Sequence, residues 1–116
     1  DQQKVLDFAR PSTALYVGGM GARGKNFYND ICKSYGYEKE AVEIQDLYLD
    51  GKKQEAAAKV PSEWLLNSHL VGPKNFVKER LAAFKESGVT VISVNPIGPD
   101  AVQQVELLRS LIDDVR

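Results

Sequence analysis

The sequence predicts a mostly helical α/β chain carrying one or two strands of the parallel type, and three observations predict it. Apolar residues recur at helical spacing along the first two thirds, in segments separated by glycine and proline. One run near the end, Val89 to Val94 (VTVISV), is β-branched with almost no polar alternation, the pattern of a strand covered on both faces. A helical segment separates it from a weaker strand-like run, His69 to Val71. A strand must pair its amides and carbonyls with neighbours. One good strand and one marginal one make a βαβα unit, not a sheet. The missing strands are therefore expected in sequence outside these residues or in another copy of the chain.

Taken in order, Lys4 to Ala9 reads as a short helix that stops at Arg10-Pro11, because the residue before proline disfavours the α region. Pro11 to Val17 fits either a helix opening on proline or an extended run. Asn26 suits an N-cap; Phe27, Tyr28, Ile31, Cys32 and Tyr35 then share one helical face, and Gly36 suits the position just past the end. Glu38 to Asp50 carries a stripe at Ala41, Ile44 and Tyr48, with Gly51 as its stop. Lys52 to Lys59 is built of strong helix formers, and Pro61 can open a further short helix bearing Trp64 and Leu65. Pro73 to Ser87 predicts a helix with Phe76, Val77, Arg80, Leu81 and Phe84 on one side and Gly88 at its end. In the last helix Asp100 is the cap, Gln103 stands where a capping-box partner would, and Ala101, Val105, Leu108, Ile112 and Val115 form the buried stripe.

Composition narrows the function classes. Fifteen basic residues face 16 acidic ones for a net charge of -1, and no basic stripe follows a phosphate backbone, which argues against nucleic acid. The apolar runs are too short to span a bilayer and no cleavable signal pattern opens the chain. With Cys32 as the single cysteine, an internal disulfide is excluded, and the expected setting is the cytoplasm. Asp1 is not an initiator methionine and the first nine residues look like a helix under way, so the chain is expected to be processed, truncated, or the ordered part of something longer.

The most conspicuous motif is Gly19-Met20-Gly21-Ala22-Arg23-Gly24-Lys25, which satisfies the spacing of a nucleotide-binding loop. Asn26 stands where that loop needs a Ser or Thr for magnesium, so the glycines are read instead as a flexible turn between helices. His69 is read as a partly buried residue with its ring hydrogen-bonded, and with Cys32 far away in sequence it forms no metal-ligand set. Cys32 itself is read as a small hydrophobe. Gly72-Pro73 opens a helix whose free amides could meet an anion, but with no lysine or serine pattern for phosphate beside it, it is read as a tight strand-to-helix turn with Pro73 at the favoured first position. Tyr28, Tyr35, Tyr37 and Tyr48 are read as packing residues, and the acidic run from Glu38 to Asp50 as a solvated face.

Three blocks in order carry a resemblance: RPSTALYVGGMGARGKNFYNDICKSYGY (Arg10 to Tyr37), EIQDLYLDGKKQEAAAKVP (Glu43 to Pro61) and HLVGPKNFVKERLAAFKESGVTVISV (His69 to Val94). Together they resemble the C-terminal region of the luciferase-like monooxygenase family, in the branch using the deazaflavin coenzyme F-420. The resemblance implies a C-terminal fragment of a (β/α)8 TIM barrel, treated as a single partial domain. Residues 1–67 would be a helical excursion and residues 68–116 the seventh and eighth βα units. It implies hydride transfer between coenzyme F-420, or FMN as the alternative, and an organic substrate, with the chemistry at the C-terminal mouth of the barrel. An isolated fragment would be inactive. No catalytic residue carries over. The arginine that the family's sugar-phosphate dehydrogenases place before the seventh strand has no counterpart in Leu66 to His69. Arg23 and Lys25 are the candidate substrate-pocket residues. Partners expected are a small-molecule substrate and the rest of the barrel or another copy of the chain, giving a homo-oligomer. Two other readings stand beside this one: a small helical protein-interaction domain, and a nucleotide-binding protein using Gly19 to Lys25.

Overall fold

The structure, a computed structural model, describes residues 2–116. Among these the chain forms seven helices: α1 (Gln2–Gly19), α2 (Phe27–Ser34), α3 (Glu38–Leu49), α4 (Lys53–Ala58), α5 (Ser62–Ser68), α6 (Lys74–Glu86) and α7 (Ala101–Val115). No strand and no sheet occur among the described residues. This overturns the α/β expectation and the barrel-fragment fold with it. A strand exists only as a partner in a ladder. Neither His69 to Val71 nor Val89 to Val94 has one, and Val91 is 83% exposed. A β-branched run reports what a strand would need, not that a second backbone is there to supply it.

The second correction is at Pro11, which lies inside α1 and does not end it. Proline in a helix interior removes one hydrogen bond and crowds the preceding turn, at a cost of about 3 kcal/mol. Here the apolar positions Leu6, Ala9, Ala14 and Val17 are buried on both sides of the proline, so one stripe spans it. Arg10 is held by long-range bonds as well, its guanidinium donating to the Val60 carbonyl and to Ser62 Oγ, while within α1 its Nε meets Asp7 Oδ1 at 2.8 Å. Burial and tertiary bonding override the local rule.

Three helices end as their glycines predict, in the same double hydrogen bond. After α2, Tyr37 N–H donates to the Cys32 carbonyl and Gly36 N–H to that of Lys33. After α3, Lys52 donates to Leu47 and Gly51 to Tyr48; after α6, Val89 donates to Phe84 and Gly88 to Lys85. This is the Schellman motif, which needs a left-handed residue just past the cap, and Gly36 supplies it at φ +95°. At the other ends, Asn26 and Asp100 accept from the amides three residues on, at 3.0 and 3.2 Å. Gln103 does not complete a reciprocal box; its neighbour Gln104 instead donates to the Ile97 carbonyl at 2.7 Å.

The chain divides into two units, Leu6–Ser68 and His69–Arg116 with the first turn of α1. In the former, α3 packs on α2 and α4, and the core holds Val17, Cys32, Ala41, Ile44, Ala56, Val60 and Leu65. In the latter, α6 packs on α7 around Leu81 and Leu111, with Lys85 Nζ donating to the Val115 carbonyl at 2.9 Å. The predicted stripe of α7 is displaced: Val105 is 48% exposed and Leu111 takes the buried place. No helix among the described residues is long and apolar enough to cross a membrane.

Candidate functional site

The glycine-rich segment joins α1 to α2, and it is pinned at both ends. Asn26, 1% exposed, donates from Nδ2 to the carbonyls of Tyr16 and Val17, each at 3.0 Å, while its Oδ1 caps α2. One turn later Asn29 donates to the carbonyls of Val17 at 3.0 Å and Ala41 at 2.9 Å. Two buried amides thus tie the end of α1 to α2 and α3; at Tyr16 and Val17 they satisfy carbonyls of the last turn of α1 that would otherwise be orphaned, and at Ala41 they add a bond to a carbonyl inside α3.

Contact, not looseness, explains Gly18, Gly19 and Gly21, and a left-handed φ of +75° explains Gly24. A Cβ on Gly18 would stand 2.6 Å from Tyr48 Cβ, and one on Gly21 would stand 2.4 Å from the Lys25 carbonyl oxygen. The turn is therefore a close approach of backbone to α3 and to itself, which corrects the expectation of a flexible connection. The nucleotide reading also loses its context. The run Ala14 to Val17 lies in α1, whereas a phosphate loop of that spacing follows a strand.

Arg23 and Lys25 are both exposed on this turn. The Arg23 guanidinium pairs with Asp46 of α3, and both side chains are 57% exposed, so the pair contributes about 0–1 kcal/mol. The structure therefore brings Arg23 to a carboxylate of its own chain. Two recesses open on Leu6–Ser68. Asp7, Arg10, Tyr48, Lys53, Gln54 and Ala57 line one, of about 370 Å³; Thr13, Tyr16, Tyr28, Ile31, Trp64 and Ser68 line the other. Neither is lined by Arg23 or Lys25.

The remaining candidates take ordinary places. Cys32 is fully buried, and burial, with the Glu40 carboxylate adding to it, pushes its thiol up to about 11. A thiol so protected stays protonated and unreactive at neutral pH. His69 is half-buried in the segment before α6, and no group of three or more His, Cys, Asp or Glu residues able to hold a metal occurs among the described residues. At Gly72, a Cβ would stand 2.8 Å from the Phe76 ring, so the tight-turn reading accounts for the glycine.

Two tyrosines depart from the packing expectation. Tyr28 is 44% exposed and Tyr35 68% exposed, and Phe27 beside them is 70% exposed. The face of α2 that enters the core is Asn29 and Cys32, not the aromatic face. Sequence reasoning missed Asn29, and it missed Gln45, which is 6% exposed with no hydrogen-bond partner for its Nε2. The one signal available was spacing: Asn29 sits three residues from a capping asparagine, on the same side of the helix.

Comparison with known proteins gives two matches. The family model described as luciferase-like monooxygenase matches residues 1–91. A Mycobacterium tuberculosis protein, provisionally named as a coenzyme F-420-dependent oxidoreductase, is 33% identical over 108 residues. That alignment covers 93% of this chain and 31% of the relative, so the chain spans about a third of that protein's length. No solved structure gives a significant match. The three sequence blocks from Arg10 onward fall almost wholly inside the matched residues, and the chain belongs to the luciferase-like monooxygenase family.

Proposed function

We propose that this chain is part of an oxidoreductase that transfers hydride between coenzyme F-420 and an organic substrate, with FMN as the alternative cofactor. The observation that carries the reading is the 33% identity over 93% of the chain to a relative whose name specifies that coenzyme. The described residues do not by themselves form a site for it. A fused-ring cofactor with an anionic tail needs unengaged donors or cations beside an apolar slot. In the larger recess the Arg10 guanidinium is already committed to Asp7, Val60 and Ser62, and the Lys53 ammonium lies over the Tyr48 ring, 5.6 Å from its centroid. No aspartate, glutamate, lysine, arginine or histidine lines the smaller one. The isolated 116-residue chain is therefore expected to be inactive.

The test is a titration of F-420 and of FMN, followed by cofactor fluorescence, against the isolated chain and against the longer polypeptide that contains it. Saturable F-420 binding by the longer protein alone supports the reading. Binding of FMN alone transfers it to flavin, and binding of neither overturns it. In that longer protein Arg23 and Lys25 border the substrate end of the site on this proposal, so the double alanine variant should raise KM several-fold with kcat held. Unchanged kinetics would remove both residues.

A second reading concerns partners and rests on one feature of His69–Arg116. Val91, Val94, Val102, Val105 and Leu107 are exposed there, Val102 at 71%. Apolar surface left open in this way favours a protein partner. On this reading the partner is another copy of the chain. Light scattering across a concentration series should show mass rising with concentration; a constant monomer mass at high concentration rejects self-association. The substrate on this reading is a small molecule, and the chain, with its single cysteine, is placed in the cytoplasm.

A further inference from the structure

The smaller recess, bounded by α1, α2 and α5, has a volume of about 320 Å³. Ligand pockets start at roughly this size, about 300 Å³. Its walls are aromatic. Tyr16 and Tyr28 stand edge to face with ring centroids 4.9 Å apart and planes at 66°. Phe27 continues the array at 5.9 Å from Tyr28. Trp64 lines the recess from α5 and is braced by Tyr37, 6.1 Å away. Val17 and Ile31 complete the apolar lining, and the exposure of Tyr16 and Tyr28 leaves ring surface available to a molecule entering from solvent.

The polar groups are few and oriented. Thr13 Oγ1 donates its proton to the Ala9 carbonyl at 3.1 Å, and Ser68 Oγ donates to that of Trp64 at 2.8 Å. A hydroxyl whose proton is bound inside its own helix meets a ligand with oxygen lone pairs. Thr13 is thus an acceptor toward the recess. Among the described residues no Asp, Glu, Lys, Arg or His lines it, so a charged ligand would lose hydration there and gain no counter-charge.

We propose that this recess is a binding site for a neutral, planar aromatic molecule bearing one hydroxyl or N–H, its ring against Tyr16, Tyr28 and Trp64 and its proton donated to Thr13 Oγ1. Aromatic faces and edges prefer another ring in the offset or edge-on arrangement that Tyr16 and Tyr28 already show. The inference does not depend on the redox reading, because its test uses no cofactor and no turnover.

Trp64 is the chain's one tryptophan, so its indole N–H resonance reports on the recess without ambiguity. The probes are 2-naphthol, 2-methoxynaphthalene and naphthalene-2-sulfonate, titrated into the full 116-residue chain. 2-Naphthol should shift the resonance saturably. The methoxy compound should bind about fivefold more weakly, the worth of one net hydrogen bond. The sulfonate should bind more weakly still. Thr13→Val, of the same shape, should bring the naphthol and methoxy affinities together, and Tyr28→Ala should weaken both about tenfold. Dispersion of the remaining spectrum shows whether each variant is folded; if Thr13→Val is not, the Tyr28→Ala result, at an exposed ring, decides. The proposal is overturned by any of three results: no saturable shift with 2-naphthol, sulfonate affinity equal to it, or affinities untouched by folded variants.

Discussion

The two units of this chain draw on similar apolar side chains and do opposite things with them. Leu6–Ser68 buries Val17, Cys32, Ile44, Val60 and Leu65 almost completely and threads a pair of buried asparagines through the contact of α1, α2 and α3. In His69–Arg116 only Leu81 and Leu111 are buried among the described residues, while Val91 and Val102 lie open. The difference is geometric. A stripe repeated every three to four residues closes on a neighbouring helix in the same chain, whereas VTVISV can bury both faces only between other elements. Apolar content says how much surface wants covering; periodicity says whether the chain can cover it alone.

The largest expected effect is in the first unit. Ile44→Ala removes a fully buried side chain and should cost about 3–4 kcal/mol in urea unfolding. Leu111→Ala, at 8% exposure in a two-helix contact, should cost about 2 kcal/mol, the low end of that range. Equal losses at the two positions would erase the contrast between the units. Next comes Asn29→Ala. It removes the buried side-chain bonds to the Val17 and Ala41 carbonyls, at 3.0 and 2.9 Å, and should cost about 2 kcal/mol, because two net hydrogen bonds of about 1 kcal/mol each are lost together. A loss under about 0.5 kcal/mol would mean the amides are incidental to the packing.

How far these positions could be read from sequence differs for physical reasons. The cap at Asn26 and the stops at Gly36, Gly51 and Gly88 were legible because capping is local chemistry, decided within six residues. Pro11 misled because the local rule was sound and a non-local term, the stripe from Leu6 to Val17 with Arg10 anchored on Val60, outweighed it. The α2 face misled because Phe27, Tyr28 and Tyr35 score as core while the helix turns its asparagine inward. VTVISV misled because strand propensity carries no information about whether a partner backbone exists. For the candidate site, the three blocks made the family legible, whereas the recess at Tyr16, Tyr28 and Trp64 draws on α1, α2 and α5, which no single window of sequence brings together.

A smaller effect sharpens the contrast by pH. The Cys32 thiol, raised from 9.0 to about 11 in the folded chain, keeps its proton where the unfolded chain has lost its own. The unfolded state then binds fewer protons, so stability falls as pH rises through the window from about 9 to 11. Cys32→Ala should flatten that part of the stability curve, measured by urea unfolding at stepped pH against the parent chain. An unchanged slope would show that the Cys32 thiol does not carry the loss. No corresponding term is expected from His69–Arg116, which contains no cysteine.

The smallest stability effect is expected at the most exposed valine. Val91→Ser replaces a side chain that is 83% exposed and makes no ladder, so unfolding free energy should move by less than about 0.5 kcal/mol. Self-association is where the same change should register, because a hydroxyl in place of the isopropyl group removes apolar area from the surface left open in this unit. Paired with Val102→Ser, it should shift the light-scattering concentration series toward monomer while the urea midpoint stays put. A midpoint that fell sharply would show that these valines already stabilise the isolated chain, and the two units would then differ in degree and not in kind.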